Sequence, residues 1–304
     1  MKKGIYIVCV CAALVTAAGF GGQYVYNEKV RIERQRLELA RRKVAWEALT
    51  NVLMREINGS RQEVAVVIKD LDWNREFVLN ENEPFPAASL VKVPIMAAVF
   101  QAVQDGKVDL NEKIVLKGSV KTLGSGILKS KPSGTEYTVE ELIQTMITYS
   151  DNTAANMLID RLGFDYLNAY FKKLGLEETN LSRKMMDFRF RRKGVENFTT
   201  ARDMSIVLER FYRLERMSPQ ARQCLIFLAQ QKINDRIPRR LPEGVTVAHK
   251  TGLERNVCHD VGIVYTEKGN FLICVLTRHA STSRQSKDLI SRLALHTYNY
   301  YQRL

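Results

Sequence analysis

The sequence predicts an α/β fold of the α+β type, with one antiparallel sheet flanked by N- and C-terminal helices and an inserted helical subdomain. Three observations predict it. Runs rich in β-branched residues, typical of strands, occur at residues 63–79 and again at 245–277. Between them, helical periodicity and helix boundary signals dominate. Strands from both ends of a chain can share one sheet when the middle forms a separate layer.

The first elements follow from residue pattern and turn residues. Residues 28–57 have helical spacing with no Gly or Pro before Gly59, which predicts one long helix. Residues 63–71 and 75–79 read as strands, and Asp72-Trp73-Asn74 between them predicts a hairpin.

The helices of the middle region each have a boundary signal. An apolar helix over residues 91–103 ends at Asp105-Gly106 and tolerates Pro94 near its start. Thr138 and Glu141 form a capping box. Residues 107–137 and 181–197 have loop character, whereas later helices are predicted from Thr153, Tyr166, Thr199 or Thr200, and Pro219. Strands at 245–251, 261–266 and 271–277 precede a last helix over 283–301.

This order predicts three segments along the chain of 304 residues. They are a signal anchor or signal peptide (1–27), a charged linker helix (28–43) and a catalytic domain (44–304). Within the domain, residues 44–84 and 243–304 form the sheet subdomain and residues 85–242 the helical one.

The N-terminus predicts export. Lys2 and Lys3 precede an apolar run over residues 5–20, the pattern of a signal segment. Val15-Thr16-Ala17 offers a cleavage site, which would give a secreted protein, yet the run also approaches the roughly 20 residues that span a bilayer. We expect an exported protein with its catalytic domain on the extracytoplasmic side, anchored in the membrane unless the segment is cleaved.

Net charge and cysteine count restrict the partners. The formal charge of +13 suits nucleic acid, anionic lipid headgroups or anionic wall polymers. Export makes nucleic acid an unsuitable partner. Cys9 and Cys11 lie in the apolar run, and Cys224, Cys258 and Cys274 follow no metal-binding spacing. We expect these cysteines to be buried small residues, and one disulfide among them is an alternative. We expect no metal or cofactor.

Ser89 and Lys92 are the first candidate catalytic pair. They are three residues apart at the start of a predicted helix, so they share a face. An uncharged Lys92 amine would accept the Ser89 proton and make the hydroxyl a nucleophile. Two more tripeptides follow, Ser150-Asp151-Asn152 at a break between helices and Lys250-Thr251-Gly252 at a strand end.

These three motifs in this order resemble the class A β-lactamase-like serine hydrolases of the penicillin-recognising superfamily. The resemblance implies that Ser89 attacks an amide, that Lys92 is the base and that Ser150 passes a proton to the departing nitrogen. It also implies that Lys250 supplies a fixed positive charge, that Asp151 braces its loop, and that a backbone oxyanion hole includes the Ser89 N–H. Asn152, Thr251 and Gly252 would bind the substrate, a β-lactam or a D-Ala-D-Ala-like molecule. His259 lies near the position of a carboxylate-binding arginine and either replaces it or fills space.

One family element is missing. The family activates the deacylating water with a glutamate in a Glu-x-x-x-Asn pattern, which residues 181–197 lack. Counting back without gaps from the segment Asn197-Phe198-Thr199-Thr200 puts Lys184 at the glutamate's place, and Asp187 could serve if the loop is shorter. Three functions remain open: a class A type β-lactam hydrolase, a slowly deacylating D,D-peptidase or penicillin-binding protein, and a non-hydrolytic membrane-tethered binding module.

Residues 183–193 contain a basic run. It is either a solvated loop or a contact for anionic wall polymer or lipid headgroups.

Overall fold

The structure is a computed structural model that describes residues 2–279 and 282–304, with side chains described from residue 26 onward. Most of the predicted signal or anchor segment, including Cys9 and Cys11, therefore lies outside the described side chains. Among the helices in the described part of the chain, none is long and apolar enough to cross a membrane.

The chain forms two compact units, residues 1–51 with Leu304 and residues 52–303. The first unit consists largely of helix α1. The second contains every strand and every candidate site residue. The predicted domain start at residue 44 stays a prediction.

Helices and strands alternate much as the sequence predicts. The helices are α1 (Lys2–Asn58), α2 (Lys92–Gln104), α3 (Val139–Thr148), α4 (Asn152–Leu162), α5 (Phe164–Lys173), α6 (Phe188–Arg192), α7 (Ala201–Leu214), α8 (Pro219–Ala229) and α9 (Ser283–Gln302). The strands are β1 (Glu63–Asp70), β2 (Glu76–Leu79), β3 (Phe85–Pro86), β4 (Lys113–Val115), β5 (Glu136–Thr138), β6 (Phe198–Thr199), β7 (Val247–Glu254), β8 (Val257–Val264) and β9 (Phe271–Arg278).

The main sheet has the order β2-β1-β9-β8-β7, with every neighbouring pair antiparallel. Pairing of β1 with β9 joins the two ends of the domain, with Val67 opposite Cys274, and confirms the predicted fold class. The core packs against this sheet and continues through the inserted helices α2 to α5, α7 and α8. The described cysteines, Cys224, Cys258 and Cys274, are buried and free. The disulfide considered from the sequence is therefore not formed among them.

The start of β8 differs from the prediction. We expected a strand from residue 261, but it begins at Val257 and is buried along its whole length. His259 and Asp260 break the apolar pattern that marks a strand. Both are tolerated inside because their side chains find hydrogen-bond partners there, which sequence periodicity does not reveal.

The two predicted loops also contain short elements. Residues 107–137 include β4 and most of β5, which pair with Lys113 opposite Thr138. The loop at 181–197 contains the one-and-a-half-turn helix α6. Such short elements have too few residues to show a period.

Candidate active site

Ser89 lies in a single 3₁₀ turn, Ala88–Val91, directly before α2. Ala88 has a left-handed φ of 46°, a backbone conformation that is uncommon for a residue other than glycine. The Ala87 N–H donates to the Asn197 carbonyl at 2.7 Å and holds the turn in place. Lys92 is the first residue of α2 and is fully buried, so the predicted one-turn spacing of Ser89 and Lys92 is present.

The Lys92 amine has four oxygen neighbours. Its Nζ lies 3.1 Å from Ser89 Oγ, 2.6 Å from the Ser150 carbonyl, 3.3 Å from Ser150 Oγ and 2.7 Å from Asn152 Oδ1. An ammonium has only three protons to donate. Burial lowers the pKa of Lys92 to about 7, although nearby Asp151 opposes the shift. A large share of the amine is therefore uncharged at neutral pH, with a lone pair available for the Ser89 proton.

The Ser150-Asp151-Asn152 loop holds its first residue in a strained conformation. Ser150 has φ 52°, which costs of order 1–3 kcal/mol and persists only where the surroundings impose it. Asp151 supplies that constraint because its carboxylate accepts hydrogen bonds from the N–H groups of Ile127, Leu128 and Ala154. Gly126 is needed there, since a Cβ on it would lie 2.3 Å from the Asp151 carboxylate.

Lys250 reaches the same serine from β7. Its Nζ donates to Ser150 Oγ at 2.9 Å, so this hydroxyl lies between two amines. Burial, and then the nearby Lys92, lower the pKa of Lys250 well below its ordinary value. The resemblance implies a fixed charge here, whereas burial and the neighbouring amine disfavour the charged form of Lys250. A substrate carboxylate would favour the charged form.

Gly252 lets β7 approach the nucleophile turn. A Cβ on it would lie 3.2 Å from the Leu90 side chain and 3.3 Å from the Ala87 carbonyl. Thr251, which precedes it on β7, is buried. The tripeptide thus supplies an amine that contacts Ser150 and a glycine that lets β7 pack closely against the turn that contains Ser89.

A group of buried charged side chains lies near Lys250. The sequence analysis did not predict that its arginine, Arg236, would be buried. Asp260 contacts His249 Nδ1 at 2.9 Å and accepts from the Ile237 N–H at 3.0 Å. Arg236 is almost fully buried, its Nε lies 3.2 Å from Cys258 Sγ, and its charge contributes to the lowered pKa of Lys250. The only sequence signal for the burial of Arg236 was the apolar pair Ile237-Pro238 that follows it.

His259 is buried and has both ring nitrogens engaged. Nε2 donates to the Pro86 carbonyl at 2.9 Å, and Nδ1 accepts from the Thr277 N–H at 3.1 Å. Burial lowers the pKa of His259 to about 4, so the ring is neutral at pH 7. A neutral, fully engaged ring cannot replace a carboxylate-binding arginine. Its position favours a structural link between β8 and the segment before Ser89.

Lys184 was expected beside the nucleophile, but the next residue, Met185, lies there instead. Asn156 holds the backbone of Met185, accepting from its N–H at 2.8 Å and donating to its carbonyl at 3.2 Å. Met185 and Met186 line the same cavity as Ser89, whereas Lys184 pairs with Asp160 and does not line it. Lys184 thus does not take the expected place beside the nucleophile, because its side chain pairs with Asp160, which the sequence does not reveal.

Asp187 lies at the N-cap of α6. Its carboxylate accepts from the N–H groups of Arg189 and Phe190, at 3.1 and 3.3 Å, and it does not line the cavity. Among the described residues that do, the only carboxylate is Glu254, and it pairs with Arg183 and Arg191. The described cavity therefore contains no free carboxylate that would act on water.

Comparison with known proteins connects this geometry to a family. The model of the β-lactamase enzyme family matches residues 45–301. The chain belongs to the β-lactamase enzyme family. Extended-spectrum β-lactamase PER-1 of Pseudomonas aeruginosa is 25% identical over 262 residues, covering 80% of this chain and 83% of that protein.

Solved structures show the same family likeness. A β-lactamase from Sphaerobacter thermophilus aligns with a TM-score of 0.76 and 30% identity, covering 84% of this chain and 97% of the other. The structure of PBP-A aligns with a TM-score of 0.77 and 28% identity, covering 84% and 97%. The chain is thus a class A β-lactamase-like serine hydrolase.

Proposed function

We propose that this member of the family hydrolyses β-lactams through an ester on Ser89 whose release by water limits turnover. The observation that carries the proposal is the contact between Ser89 Oγ and the buried Lys92 amine, at 3.1 Å. Relatives named as β-lactamases support the same reaction class.

The acylation step follows from the geometry. Lys92 accepts the Ser89 proton as Oγ attacks the lactam carbonyl, and the C–N bond of the ring then breaks. Ser150 donates its proton to the departing nitrogen and is reprotonated from the amines of Lys92 or Lys250, which both contact it. Lys250 and Thr251 bind the substrate carboxylate in this proposal.

The deacylation step has less support in the cavity. Water must be deprotonated to attack the ester, and general bases contribute about 10²- to 10⁴-fold to such steps. Glu254 is ion-paired, and the residue that Asn156 holds is Met185, which has no basic group. Lys92, in contact with Ser89, is then the base that we expect to act on water. We expect the ester to accumulate.

The test is intact-mass analysis of the protein mixed with benzylpenicillin, together with hydrolysis of a chromogenic cephalosporin. We expect an adduct of the full mass of the penicillin, followed by turnover. Ser89→Ala should abolish both. Ser130 is an exposed serine at the end of a 3₁₀ turn, and Ser130→Ala should abolish neither. An adduct on the Ser89→Ala protein would overturn the assignment of the nucleophile.

The two alternative functions are outcomes of the same experiment. Release of D-alanine from a D-Ala-D-Ala peptide would favour a D,D-peptidase. An adduct that never turns over would favour a non-hydrolytic binding module. Relatives named as β-lactamases do not favour either.

We also propose that the protein is exported and acts outside the cytoplasm. Support comes from Lys2, Lys3 and the apolar run that follows. Cell fractionation with mass analysis of the mature N-terminus separates a retained anchor from a cleaved signal. Recovery of an uncleaved protein in the cytoplasm would refute export.

An anionic wall polymer or lipid surface is a further proposed partner of the basic run. Arg183, Lys184 and Arg191 are ion-paired within the protein. The exposed positive charges of the run are Arg192, Lys193 and Arg189, which has only a 3.9 Å contact with Asp187. Co-sedimentation of the domain with anionic vesicles should therefore weaken with added salt. Binding that salt does not change would refute an electrostatic contact.

A further inference from the structure

The cavity at Ser89 is much larger than the reacting groups require. Its volume is about 720 Å³, and it is bounded by the nucleophile turn, by the loop that contains α6, and by the turn between β7 and β8. A space of this size takes a substrate with a substantial side chain. The residues that line these walls would contact such a side chain.

An ion-pair cluster fixes two walls of the cavity. Arg191 on α6 contacts Glu254 at the end of β7 at 2.9 Å and Glu196 at 3.4 Å. Arg183, with a side chain only 2% exposed, contacts the same two carboxylates at 3.2 and 2.5 Å. The two arginines and two glutamates neutralise one another and hold α6 against the β7–β8 turn.

The next residue on each wall is an arginine without such a partner. Arg192 follows Arg191, Arg255 follows Glu254, and both are exposed and line the cavity. No described carboxylate lies within ion-pairing distance of either side chain, although Arg183, Lys184 and Arg191 in the same loop all have one. Two uncompensated guanidinium groups facing one concave space attract anions.

Apolar side chains line the same space. Phe188 and Leu253 are 44% and 49% exposed, and both border the cavity. A complementary ligand would cover this apolar surface with an aryl or alkyl group and place an anion near the two arginines.

We propose that Arg192 and Arg255 form a second anion subsite, which binds a carboxylate or sulfonate on the side chain of a β-lactam substrate. This anion is additional to the carboxylate expected at Lys250 and Thr251. The inference rests on the proposed function, since it concerns the selection of substrates that acylate Ser89.

Three penicillins that differ in one group test the subsite. Benzylpenicillin has a neutral side chain, carbenicillin adds a carboxylate to it and ampicillin adds an amine. The second-order rate constant for Ser89 acylation is measured for each by intact mass. The full-length protein is compared with its Arg192→Gln, Arg255→Gln and doubly substituted variants, at low and high salt.

Arg189→Gln is the matched control, because it removes the same charge from α6 at a residue outside the cavity. Each subsite substitution should lower the carbenicillin-to-ampicillin rate ratio by about 2- to 5-fold, and both together by about 10-fold, as for exposed ion pairs. The control should leave the ratio unchanged. High salt should reduce the ratio in the unsubstituted protein but not in the double variant.

The outcomes separate the subsite from the proposed function. Acylation by all three penicillins with a ratio that neither substitution changes would refute the subsite and leave the function intact. An equal fall in the ratio with Arg189→Gln would also refute it, because net charge alone would then explain the effect. Failure of benzylpenicillin to acylate Ser89 would overturn the function and the subsite together.

Discussion

At the scale of single residues, Lys92 determines what Ser89 can do. The amine is buried, and its acceptors are two serine hydroxyls, a carbonyl and the side-chain carbonyl of Asn152. Burial disfavours its charge, so the residue that the sequence presents as a lysine acts as a base near neutral pH.

The pH dependence of acylation tests this. Lys92 accepts a proton only when it is neutral, so the acylation rate with benzylpenicillin should rise as pH increases through about 7 and then level off. Lys92→Met should remove this dependence and slow acylation by about 10²- to 10⁴-fold. A flat profile between pH 5.5 and 8.5 in the unsubstituted protein would contradict the role of Lys92 as the base.

Met185 offers a second test at this scale. Its backbone is held by Asn156 and its side chain lines the cavity with Ser89, so Met185→Glu places a carboxylate there. We expect faster release of the benzylpenicillin ester, by about 10²-fold, as for an added general base.

The control is Met185→Gln, which has the same length and cannot act as a base. Release is followed as the loss of the intact-mass adduct after excess penicillin is removed. Equal release rates for the glutamate and glutamine variants would show that this position does not control deacylation.

At the scale of elements, the loop over residues 181–197 is positioned from both ends. Asn197 accepts from the N–H groups of Ser182 and Arg183 and closes the loop, while its carbonyl accepts from Ala87 next to the nucleophile turn. The ion-pair cluster of Arg183, Arg191, Glu196 and Glu254 fixes the loop to β7. The shape of the cavity therefore depends on this loop.

Removing Arg183 should destabilise the domain. Glu196 and Glu254 are nearly buried, and Arg183→Met removes the most buried of their cations. Loss of such a partner lowers the free energy of unfolding by about 3 kcal/mol. The measurement is the free energy of unfolding in urea. Arg189, which is 81% exposed, gives the control, since Arg189→Gln should change it by less than about 0.5 kcal/mol. An Arg183→Met protein as stable as the control would show that the cluster is not a stabilising clamp.

At the scale of the whole molecule, the sequence predicts the architecture well and the interior charges poorly. Antiparallel pairing of strands from both ends follows from β-branched runs, and the three motifs meet as expected around Ser89, Ser150 and Lys250. The burial of Arg236 and the neutral state of His259 were not predicted, because each depends on partners far along the chain. The same is true of Met185, whose place depends on Asn156.

The domain boundary makes a prediction about the whole chain. A protein that lacks residues 1–43 retains the region that matches the family, residues 45–301. It should acylate with benzylpenicillin at the rate of the full-length protein and unfold in one transition. A large loss of acylation rate would show that the first 43 residues contribute to the site.

The most direct test of the account is a rapid-quench time course of the protein with excess benzylpenicillin, read by intact mass. We expect nearly all of the protein to carry the ester on Ser89 during turnover, because Lys92 serves acylation, whereas the described residues of the cavity offer no free carboxylate for deacylation. Steady hydrolysis of the penicillin with almost no ester present would contradict it, since deacylation would then be the faster step.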